Sequence, residues 1–421
     1  MTPHHYRRST CRLCSASDLQ LVVPMTPTPI ADAYVSADRL GEVQECYPLD
    51  LYQCCNCGHV QLLDVVAPEL LFSQYSYFSG RAGGMAKHFD EYADRVVRKT
   101  GLPRGALVVD IGSNDGAFLR CFQQRGMRVL GVDPAENIAR AANEAGIETL
   151  PEFFHLPLAT VIASSYGRAQ VVAANNVFAH TDDLAGMADA VRALLADDGV
   201  FVFEVSYLLD VVDHLLLGTI FHEHLCYHSV QPLDAFLRLH GLELTDVQRV
   251  PIQGGSLIGT AQRSGGPRRI EPSVAALKAL EDERELHNPA TLRAFSSRIE
   301  QARDSAAVLL ERLQAEGNSI AGFGAARSGT LLIYHFGLAT ILEYIVDDSP
   351  DKQNLYSPGV HIPVFPSTVM YERMPAYVFI LAWVHWRAIV QNHHRYLDQG
   401  GRFVNCFPGI RVVTRDSLEI D

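Results

Sequence analysis

The sequence has no run of about 18 uninterrupted apolar residues, the minimum for a membrane-spanning helix. Its first residues, MTPHHYRRST, also lack the apolar core of a secretion signal. These two absences predict a cytoplasmic protein that has no membrane partner.

Basic residues are scarce. Lysine and arginine number 35 against 48 aspartates and glutamates, which gives a formal net charge of −13. Because nucleic-acid binding depends on clustered basic side chains, this balance predicts no nucleic-acid partner. A chain of 421 residues that is 48% hydrophobic and 20% charged is typical of a globular protein with about three domains.

Nine cysteines in a reducing compartment indicate metal ligands or free thiols rather than a disulfide framework. Four of them form two C-x-x-C pairs, and four thiolates can close the tetrahedral site of a structural zinc ion. The stretch between the pairs, residues 15–53, exceeds the roughly 15–20 residues of compact zinc ribbons, but a longer loop costs little entropy. The alternative is four unrelated buried cysteines. The predicted zinc ligands are Cys11, Cys14, Cys54 and Cys57.

The stretch ALVVDIGSNDGAFLRCFQQRGMRVLGVD at 106–133 predicts a strand, a glycine turn, a helix and a second strand. The apolar run 107–111 is typical of a buried parallel strand. The turn at 112–116 would bring backbone N–H groups close to a ligand. Asp133, at the end of the second strand, lies where a carboxylate can hold a ribose diol.

The glycine turn lacks the G-x-G-x-x-G pattern of dinucleotide enzymes, since only Gly112 and Gly116 are present. Asp115 would face the phosphates of NAD and repel them. S-adenosylmethionine has no phosphate and carries a positive sulfonium, so it tolerates this acid. The strings DIGSNDG and VDP resemble the first two motifs of class I methyltransferases.

A further predicted strand at 170–174 ends in NNVFAH. Because the carboxyl ends of parallel strands line the ligand crevice of such sheets, we expect Asn175, Asn176 and His180 to lie near the cofactor.

The segment TIFHEHLCYHS at 219–229 places three histidines and a glutamate within seven residues. The H-E-x-x-H spacing of zinc proteases is absent, because His224 and His228 are four apart without the required glutamate between them. Histidines satisfied in a protein core remain one interpretation. The favoured one is acid–base chemistry, with Glu223 and His224 as the pair.

A second strand–glycine–helix–strand–acid pattern follows, with GFGAARSG at 322–329 and Asp347. It predicts either a mononucleotide site, with Arg327 as the charge partner of phosphates, or a decayed duplicate used for packing.

Taken together, the motifs resemble the sugar C-3′-methyltransferases, enzymes that use S-adenosylmethionine to methylate nucleotide-linked 4-keto-6-deoxy sugars in deoxysugar biosynthesis. The resemblance covers the whole chain. It rests on the four-cysteine segment, SQYSYFSG at 73–80, VVDIGSNDG at 108–116, NNVFAH at 175–180, HEHLCYHS at 222–229, QGGSL at 253–257, GFGAARSG at 322–329 and DDSPDKQNLYSPGVHIPV at 347–364.

The resemblance implies an α/β architecture with three parts and two cofactors, S-adenosylmethionine and structural Zn²⁺. We expect a zinc-binding module at 1–70, a class I methyltransferase domain of Rossmann-like fold at 71–265, and a second Rossmann-like domain at 266–421 that binds the sugar nucleotide. The expected partner is a nucleotide-linked 4-keto-6-deoxyhexose, and we expect a monomer.

The resemblance also assigns roles to single residues. Those implied to be catalytic are Tyr75, His180, Glu223 and His224. Those implied to bind the cofactor are Tyr77, Asp110, Gly112, Asn114, Asp115, Gly116, Asp133, Asn175 and Asn176. Those implied to bind the substrate are Phe221, His222, Tyr227, Arg327 and His361.

The chain departs from the family at Phe221, where relatives carry a tyrosine, and this removes one hydroxyl from the site. Tyr75, Tyr227 or His222 supplies the missing hydrogen-bond donor or acceptor, or the substrate has a different group there. GFGAARSG also lacks the lysine that is common in relatives.

The implied mechanism is removal of the C-3′ proton by His224, assisted by Glu223, with His180 or Tyr75 stabilising the enolate oxygen. Three alternatives stay open. They are methyl transfer to oxygen or nitrogen, a NAD-dependent nucleotide-sugar oxidoreductase, and a non-catalytic zinc-containing binding protein.

Overall fold

A computed structural model describes residues 4–72, 80 and 84–419. The chain divides into two compact units. The first consists of the described parts of Met1–Gln20, Gln53–Asp210 and Leu225–Asn288, and the second of Leu21–Tyr52, Val211–His224 and the described part of Pro289–Asp421. Across the described ranges, no helix has both the length and the apolar character needed to cross a membrane.

The amino-terminal segment contains short strands and one short helix. They are β1 His5–Arg7, β2 Leu19–Val23, β3 Leu51–Cys54, β4 Val60–Leu62, β5 Asp64–Val66 and α1 Pro68–Phe72. β1 pairs with β5 in antiparallel register.

The middle of the chain alternates strands and helices. The elements are α2 Met85–Thr100, β6 Leu107–Ile111, α3 Ala117–Gln124, β7 Arg128–Val132, α4 Glu136–Glu144, β8 Thr149–Leu150, α5 Leu156–Ser165, β9 Ala169–Asn175, α6 Leu184–Leu194, β10 Leu195–Ser206, α7 Leu208–Asp213, β11 Cys226–Tyr227, α8 Val230–Leu239, β12 Leu242–Val250, β13 Ser256–Arg263 and α9 Pro272–Glu283.

Seven of these strands form one sheet in the order β12-β13-β10-β9-β6-β7-β8. β13 runs antiparallel to both of its neighbours, whereas β10, β9, β6, β7 and β8 are parallel. The strand order reverses beside β6, which is the switch point where such sheets bind ligands. This is the class I methyltransferase fold that the sequence predicts.

The central strands of the sheet are largely apolar and buried. All five residues of β6 are buried, as expected for a parallel strand enclosed on both faces. One face carries an apolar core that α2 and α3 cover. Its large members include Phe89, Tyr92, Val96, Phe118, Phe122, Val108, Val171 and Val202.

The second unit contains another parallel sheet. Its regular elements are α10 Pro289–Ala315, β14 Ile320–Phe323, α11 Arg327–His335, β15 Ile345–Asp347, β16 Val364–Pro366, α12 Thr368–Arg373, β17 Tyr377–Ile380, α13 Trp386–Asn392, α14 His394–Asp398, β18 Phe403–Asn405 and β19 Arg411–Val413. The strand order is β16-β15-β14-β17-β18-β19, and only β19 is antiparallel within the described sheet. The order reverses at β14, as in the predicted Rossmann-like fold.

A buried carboxylate anchors the start of α8. Glu281 of α9 is fully buried and accepts hydrogen bonds from the N–H groups of Val230 (2.6 Å) and Gln231 (3.0 Å). It also accepts one from the hydroxyl of Tyr207 at 2.9 Å. Burial raises the pKa of Glu281, while these donors oppose the rise. Glu281 therefore satisfies helix N–H groups that have no partner inside the helix.

Replacing Glu281 with alanine should lower the free energy of unfolding by about 2–4 kcal/mol, because it leaves two amides and a phenol buried without an acceptor. Urea unfolding followed by circular dichroism measures this. The control is Glu283→Ala, which removes an exposed carboxylate from the same helix and should change stability by less than about 0.5 kcal/mol. Equal effects of the two substitutions would contradict the anchoring role.

Candidate active site and metal centre

Four cysteine sulfurs form one compact cluster in the first unit. The Sγ atoms of Cys11, Cys14, Cys54 and Cys57 all lie within 4.8 Å of one another. Cys11 and Cys57 are 3.6 Å apart, and Cys14 and Cys54 are 3.5 Å apart. Such spacing suits four sulfurs around one tetrahedral ion, and thiolates are the ligands of structural zinc.

Within the cluster, the ionised form is favoured at Cys11, whereas burial raises the pKa of Cys54, and the bond to Cys11, with burial, raises that of Cys57. The Cys57 thiol and nearby backbone N–H groups lower the pKa of Cys11, and the N–H of Leu13 donates to its sulfur at 3.4 Å. A thiolate is the form that binds a metal. Four protein ligands leave no position for a substrate, so the donor set fits a structural ion and no reaction step is assigned to it. Cys46 and Cys55 are exposed and lie outside the cluster, as the spacing predicts.

Zinc content should respond differently to two neighbouring substitutions. Cys54→Ala removes one of four ligands, so the purified protein should lose most of its zinc, whereas Cys55→Ala should retain about one ion per chain. Inductively coupled plasma mass spectrometry of the two proteins gives the ratio. Equal zinc in both would rule out the four-cysteine centre.

The turn between β6 and α3 requires glycine at two positions. Gly112 has φ 65° and Gly116 has φ 72°, in the left-handed region that disfavours side chains. A Cβ on Gly112 would come within 2.3 Å of Val177, and one on Gly116 within 2.8 Å of Ile147. Glycine at these two positions therefore permits both the left-handed backbone and the close approach of Val177 and Ile147.

Asp133 holds this turn in place. Its two carboxylate oxygens accept hydrogen bonds from the N–H of Asn114 (2.9 Å) and of Ala135 (3.0 Å). Burial raises the pKa of Asp133, and the two amides oppose the rise. The acid that the sequence assigns to a ribose therefore also fixes the cofactor turn. Asp115 accepts from the N–H groups of Gly80 (3.0 Å) and Ala117 (3.3 Å).

Several polar atoms at the carboxyl ends of β6 and β9 are buried without a hydrogen-bond partner among the described residues. They are Oδ1 of Asp110, Oγ of Ser113 and both amide atoms of Asn175. Burial, followed by the nearby charge of Asp133, raises the pKa of Asp110 to about 8. Buried polar atoms are almost always satisfied in folded proteins. This edge of the sheet therefore fits a ligand with several polar groups, as the amino-acid part of S-adenosylmethionine has.

His180 and Asn176 lie on the loop that leaves β9. The His180 ring stacks on Phe72, with ring centroids 5.9 Å apart. Asn176 has a left-handed backbone, φ 55°, and its N–H donates to the carbonyl of Glu204 at 2.7 Å. The remaining predicted residues of this group, Tyr75 and Tyr77, lie outside the described residues.

His224, in the second unit, has a defined tautomer. Its Nδ1 lies 2.8 Å from the carbonyl oxygen of Thr219. Because a carbonyl only accepts, Nδ1 carries the hydrogen and Nε2 is left as the acceptor nitrogen. Burial, followed by the charge of Arg327, lowers the pKa of His224 to about 3. The imidazole is therefore neutral at physiological pH.

Arg327 connects the residues of this motif. Its Nη1 donates to Oε2 of Glu223 at 3.0 Å, and the Glu223 side chain is only 5% exposed. Its guanidinium carbon lies 5.7 Å from the Phe221 ring, which in turn lies 4.0 Å from the His224 ring. Phe221 thus lies close to both the guanidinium and the imidazole.

Two charged residues that the sequence analysis missed complete this arrangement. Asp32 lies 3.8 Å from Nε of Arg327 and accepts a hydrogen bond from Nζ of Lys352 at 2.7 Å. The ammonium of Lys352 lies 4.9 Å from the ring of Tyr34. Asp32 lies in no motif, and the motif at 347–364 that contains Lys352 does not indicate its partner, because the two residues are far apart along the chain.

The other members of the histidine-rich segment are enclosed. Nε2 of His222 lies 3.2 Å from the carbonyl of Tyr47 in the second unit. In the first unit, His228 stacks on Phe178 with ring centroids 5.5 Å apart, and burial lowers its pKa to about 4. His228 is therefore a histidine of the protein core, which is one of the two interpretations of this segment. Tyr227 is 1% exposed, and burial raises its pKa.

The second glycine turn, like the first, is held by a carboxylate at the end of the neighbouring strand. Asp347, at the end of β15, accepts hydrogen bonds from the N–H groups of Ala325 (2.6 Å) and Ser349 (2.7 Å). Gly324 has φ 102°. His361 has φ 55°, and its buried Nε2 has no hydrogen-bond partner in the described part of the chain.

Family models match three successive stretches of the chain. A methyltransferase-associated zinc binding domain matches 11–72. A methyltransferase domain matches 85–247. A C-methyltransferase C-terminal domain matches 251–408.

Known proteins resemble the chain to different extents. The C-methyltransferase NovU of Streptomyces niveus is 35% identical over 97% of both chains. A ubiquinone biosynthesis O-methyltransferase of Psychrobacter arcticus is 30% identical over 26% of this chain and 46% of its own. The solved CcbJ methyltransferase of Streptomyces caelestis is 15% identical, with a TM-score of 0.36 over 46% of this chain and 97% of its own. On the full-length similarity to NovU, this chain is a methyltransferase and belongs to the C-methyltransferase family.

Proposed function

We propose that the protein transfers a methyl group from S-adenosylmethionine to C-3′ of a nucleotide-linked 4-keto-6-deoxy sugar, in deoxysugar biosynthesis. The observation that carries the proposal is the neutral His224, whose acceptor nitrogen is defined and whose ring packs on Phe221, a ring that also lies near the Arg327 guanidinium. A base next to a cation is the pair of groups that removal of a proton next to a carbonyl requires.

S-adenosylmethionine, when bound, supplies an electrophilic methyl group on its sulfonium. The glycine turn at 112–116 would hold it, with Asp110 and Asn175 toward its amino-acid part and Asp133 toward its ribose. The orphan atoms of Asp110 and Asn175 support this assignment. Asn114, Asn176 and Tyr77 remain predicted neighbours of the same molecule.

His224 is proposed to remove the C-3′ proton. A hydrogen next to a ketone is acidic enough for an enzyme base once the resulting oxygen anion is stabilised. A neutral imidazole accepts a proton without first losing one, so the low pKa of His224 keeps the base in its working form. The same low pKa makes His224 a weak base while no substrate is bound.

Arg327 is proposed to offset that weakness. Its positive charge stabilises the enolate oxygen as negative charge develops there. The same negative charge cancels the effect of Arg327 on the imidazole, so the proton affinity of His224 rises as the proton is transferred. His180 and Tyr75 remain predicted partners of this oxygen.

The contact of Glu223 with Arg327 suggests a positioning role for this carboxylate. Sequence reasoning pairs Glu223 with His224 as a direct assistant. The 3.0 Å hydrogen bond to Nη1 instead supports a role in fixing the guanidinium beside Phe221. We also propose that His222, Tyr227 and His361 serve substrate binding, as the resemblance implies.

His224→Gln should abolish methylation and leave the affinity for S-adenosylmethionine near that of the wild type, because glutamine keeps a polar side chain but is no base. The assay is the mass gain of 4-keto-6-deoxy sugar nucleotides, with donor affinity measured by calorimetry. Without the donor, the wild type should exchange the C-3′ hydrogen for solvent deuterium and the variant should not.

The matched control is His394→Gln, an exposed histidine of the second unit that should leave both activities unchanged. Methylation without any exchange at carbon would favour methyl transfer to oxygen, which needs no carbon acid. Full exchange by His224→Gln would remove this residue from the role of base.

The pH profile should move when the cation is removed. With a pKa of about 3, His224 places its acid limb of kcat/KM below the usual assay range. Arg327→Met deletes the smaller of the two causes that lower this pKa and leaves the negative Glu223 nearby, so the pKa rises, while burial keeps it below 6.5, and the limb moves to higher pH.

At the pH optimum the Arg327→Met variant should also lose about 10²–10³ in kcat, the usual effect of removing one oxyanion donor. Initial rates between about pH 4 and pH 9 measure both effects. A rate loss with an unmoved acid limb would show that Arg327 does not influence the base.

A further inference from the structure

A cleft in the first unit lies apart from every predicted site residue. Its volume is about 290 Å³, near the lower end of the roughly 300–1,000 Å³ typical of small-molecule pockets. It is lined by the second half of α2, by β12 and β13, and by the segment 268–271. Its apolar lining includes Val96, Val202 and Ile258.

Cationic side chains dominate the charge of this cleft. Arg95, Lys99, Arg268 and Arg269 line it, against the two acids Asp246 and Glu271. Lys99 already pairs with Asp246 at 2.5 Å. Three arginines thus face one remaining carboxylate, in a chain whose formal net charge is −13. A local excess of positive charge in an acidic protein attracts anions.

Arg95 supplies a second, independent observation. Its Nη1 is buried and has no hydrogen-bond partner in the described ranges, although the residue as a whole is only partly buried. Its guanidinium carbon lies 5.7 Å from the ring of Tyr92. Leaving a charged donor buried and unsatisfied is costly, so such a group calls for an acceptor that comes from outside the chain.

We infer that this cleft binds a small organic phosphate. A phosphate monoester carries about −1.5 to −2 charges at pH 7 and three acceptor oxygens, which matches the excess of about two positive charges better than a carboxylate does. The phosphate would accept hydrogen bonds from Arg95 and its neighbouring arginines, and the organic part would lie on Val96, Val202 and Ile258. This site is additional to the proposed methyl transfer.

Isothermal titration calorimetry of the full chain with phenyl phosphate tests the inference. The wild type should bind it saturably, and more weakly as salt is added, because exposed charges are screened. Arg95→Met keeps an unbranched apolar stem and removes the charge, so it should weaken binding at least about tenfold, the loss of one charge-assisted hydrogen bond. Arg140→Met, an exposed arginine of α4 outside the cleft, should bind as the wild type does.

Two further titrations define the ligand. Benzyl alcohol, which has the ring without the charge, should not bind measurably. Inorganic phosphate should bind more weakly than phenyl phosphate, because it lacks the apolar part. If Arg95→Met does not fold, as judged by circular dichroism, the exposed Arg269→Met provides the same test with less risk to the core.

The inference is overturned by any of three results. These are no saturable binding by the wild type at millimolar phenyl phosphate, equal affinity in the arginine variants and the Arg140→Met control, or equal binding of benzyl alcohol. Because none of these measurements uses methyl transfer, they stand or fall independently of the proposed reaction.

Discussion

A carboxylate at the end of one strand fixes the glycine turn at the end of the neighbouring strand, and this interaction occurs once in each unit. Asp133 does so for the turn after β6, and Asp347 for the turn after β14. Such a turn exposes backbone N–H groups and has too few side chains to hold its own shape. The buried acid holds the turn in place by accepting hydrogen bonds from its N–H groups, so the backbone at the switch point of each sheet can contact a ligand.

The second constraint is the balance of charge around His224. An imidazole enclosed by protein and placed near a guanidinium is a poor base until a negative charge appears beside it. Glu223 and Asp32 limit the field of Arg327 without removing it, since both lie within 4 Å of its nitrogen atoms. In the proposed reaction, this arrangement would couple removal of the proton to the appearance of an oxygen anion.

Local patterns predict most of the scaffold. The run 107–111 coincides with β6, because a short, largely apolar run before a glycine turn is typical of a buried parallel strand. The cluster of four cysteines is also predicted locally, because each C-x-x-C pair places two thiols on one tight turn. The four residues are Cys11, Cys14, Cys54 and Cys57. The class I fold follows from repeating these units along the chain.

Long-range electrostatics cannot be predicted in this way. Arg327 follows Glu223 by 104 residues, and a motif reading pairs Glu223 with its neighbour His224 instead. Asp32 and Lys352 are separated by 320 residues; Asp32 belongs to no motif, and the motif that contains Lys352 does not indicate its partner. The sequence also does not predict that His228 lies in the core, because histidine spacing alone does not distinguish a metal ligand from a ring that stacks on Phe178. Only the packing of distant segments decides these cases.

The path of the chain has a consequence for recombining members of the family. The second unit includes Leu21–Tyr52 and Val211–His224 as well as its carboxy-terminal part. A chimaera that exchanges only the region after residue 251, where the C-terminal family model begins, would bring a foreign residue opposite Glu223. A graft that keeps the partners within this unit matched must therefore transplant three separate stretches together.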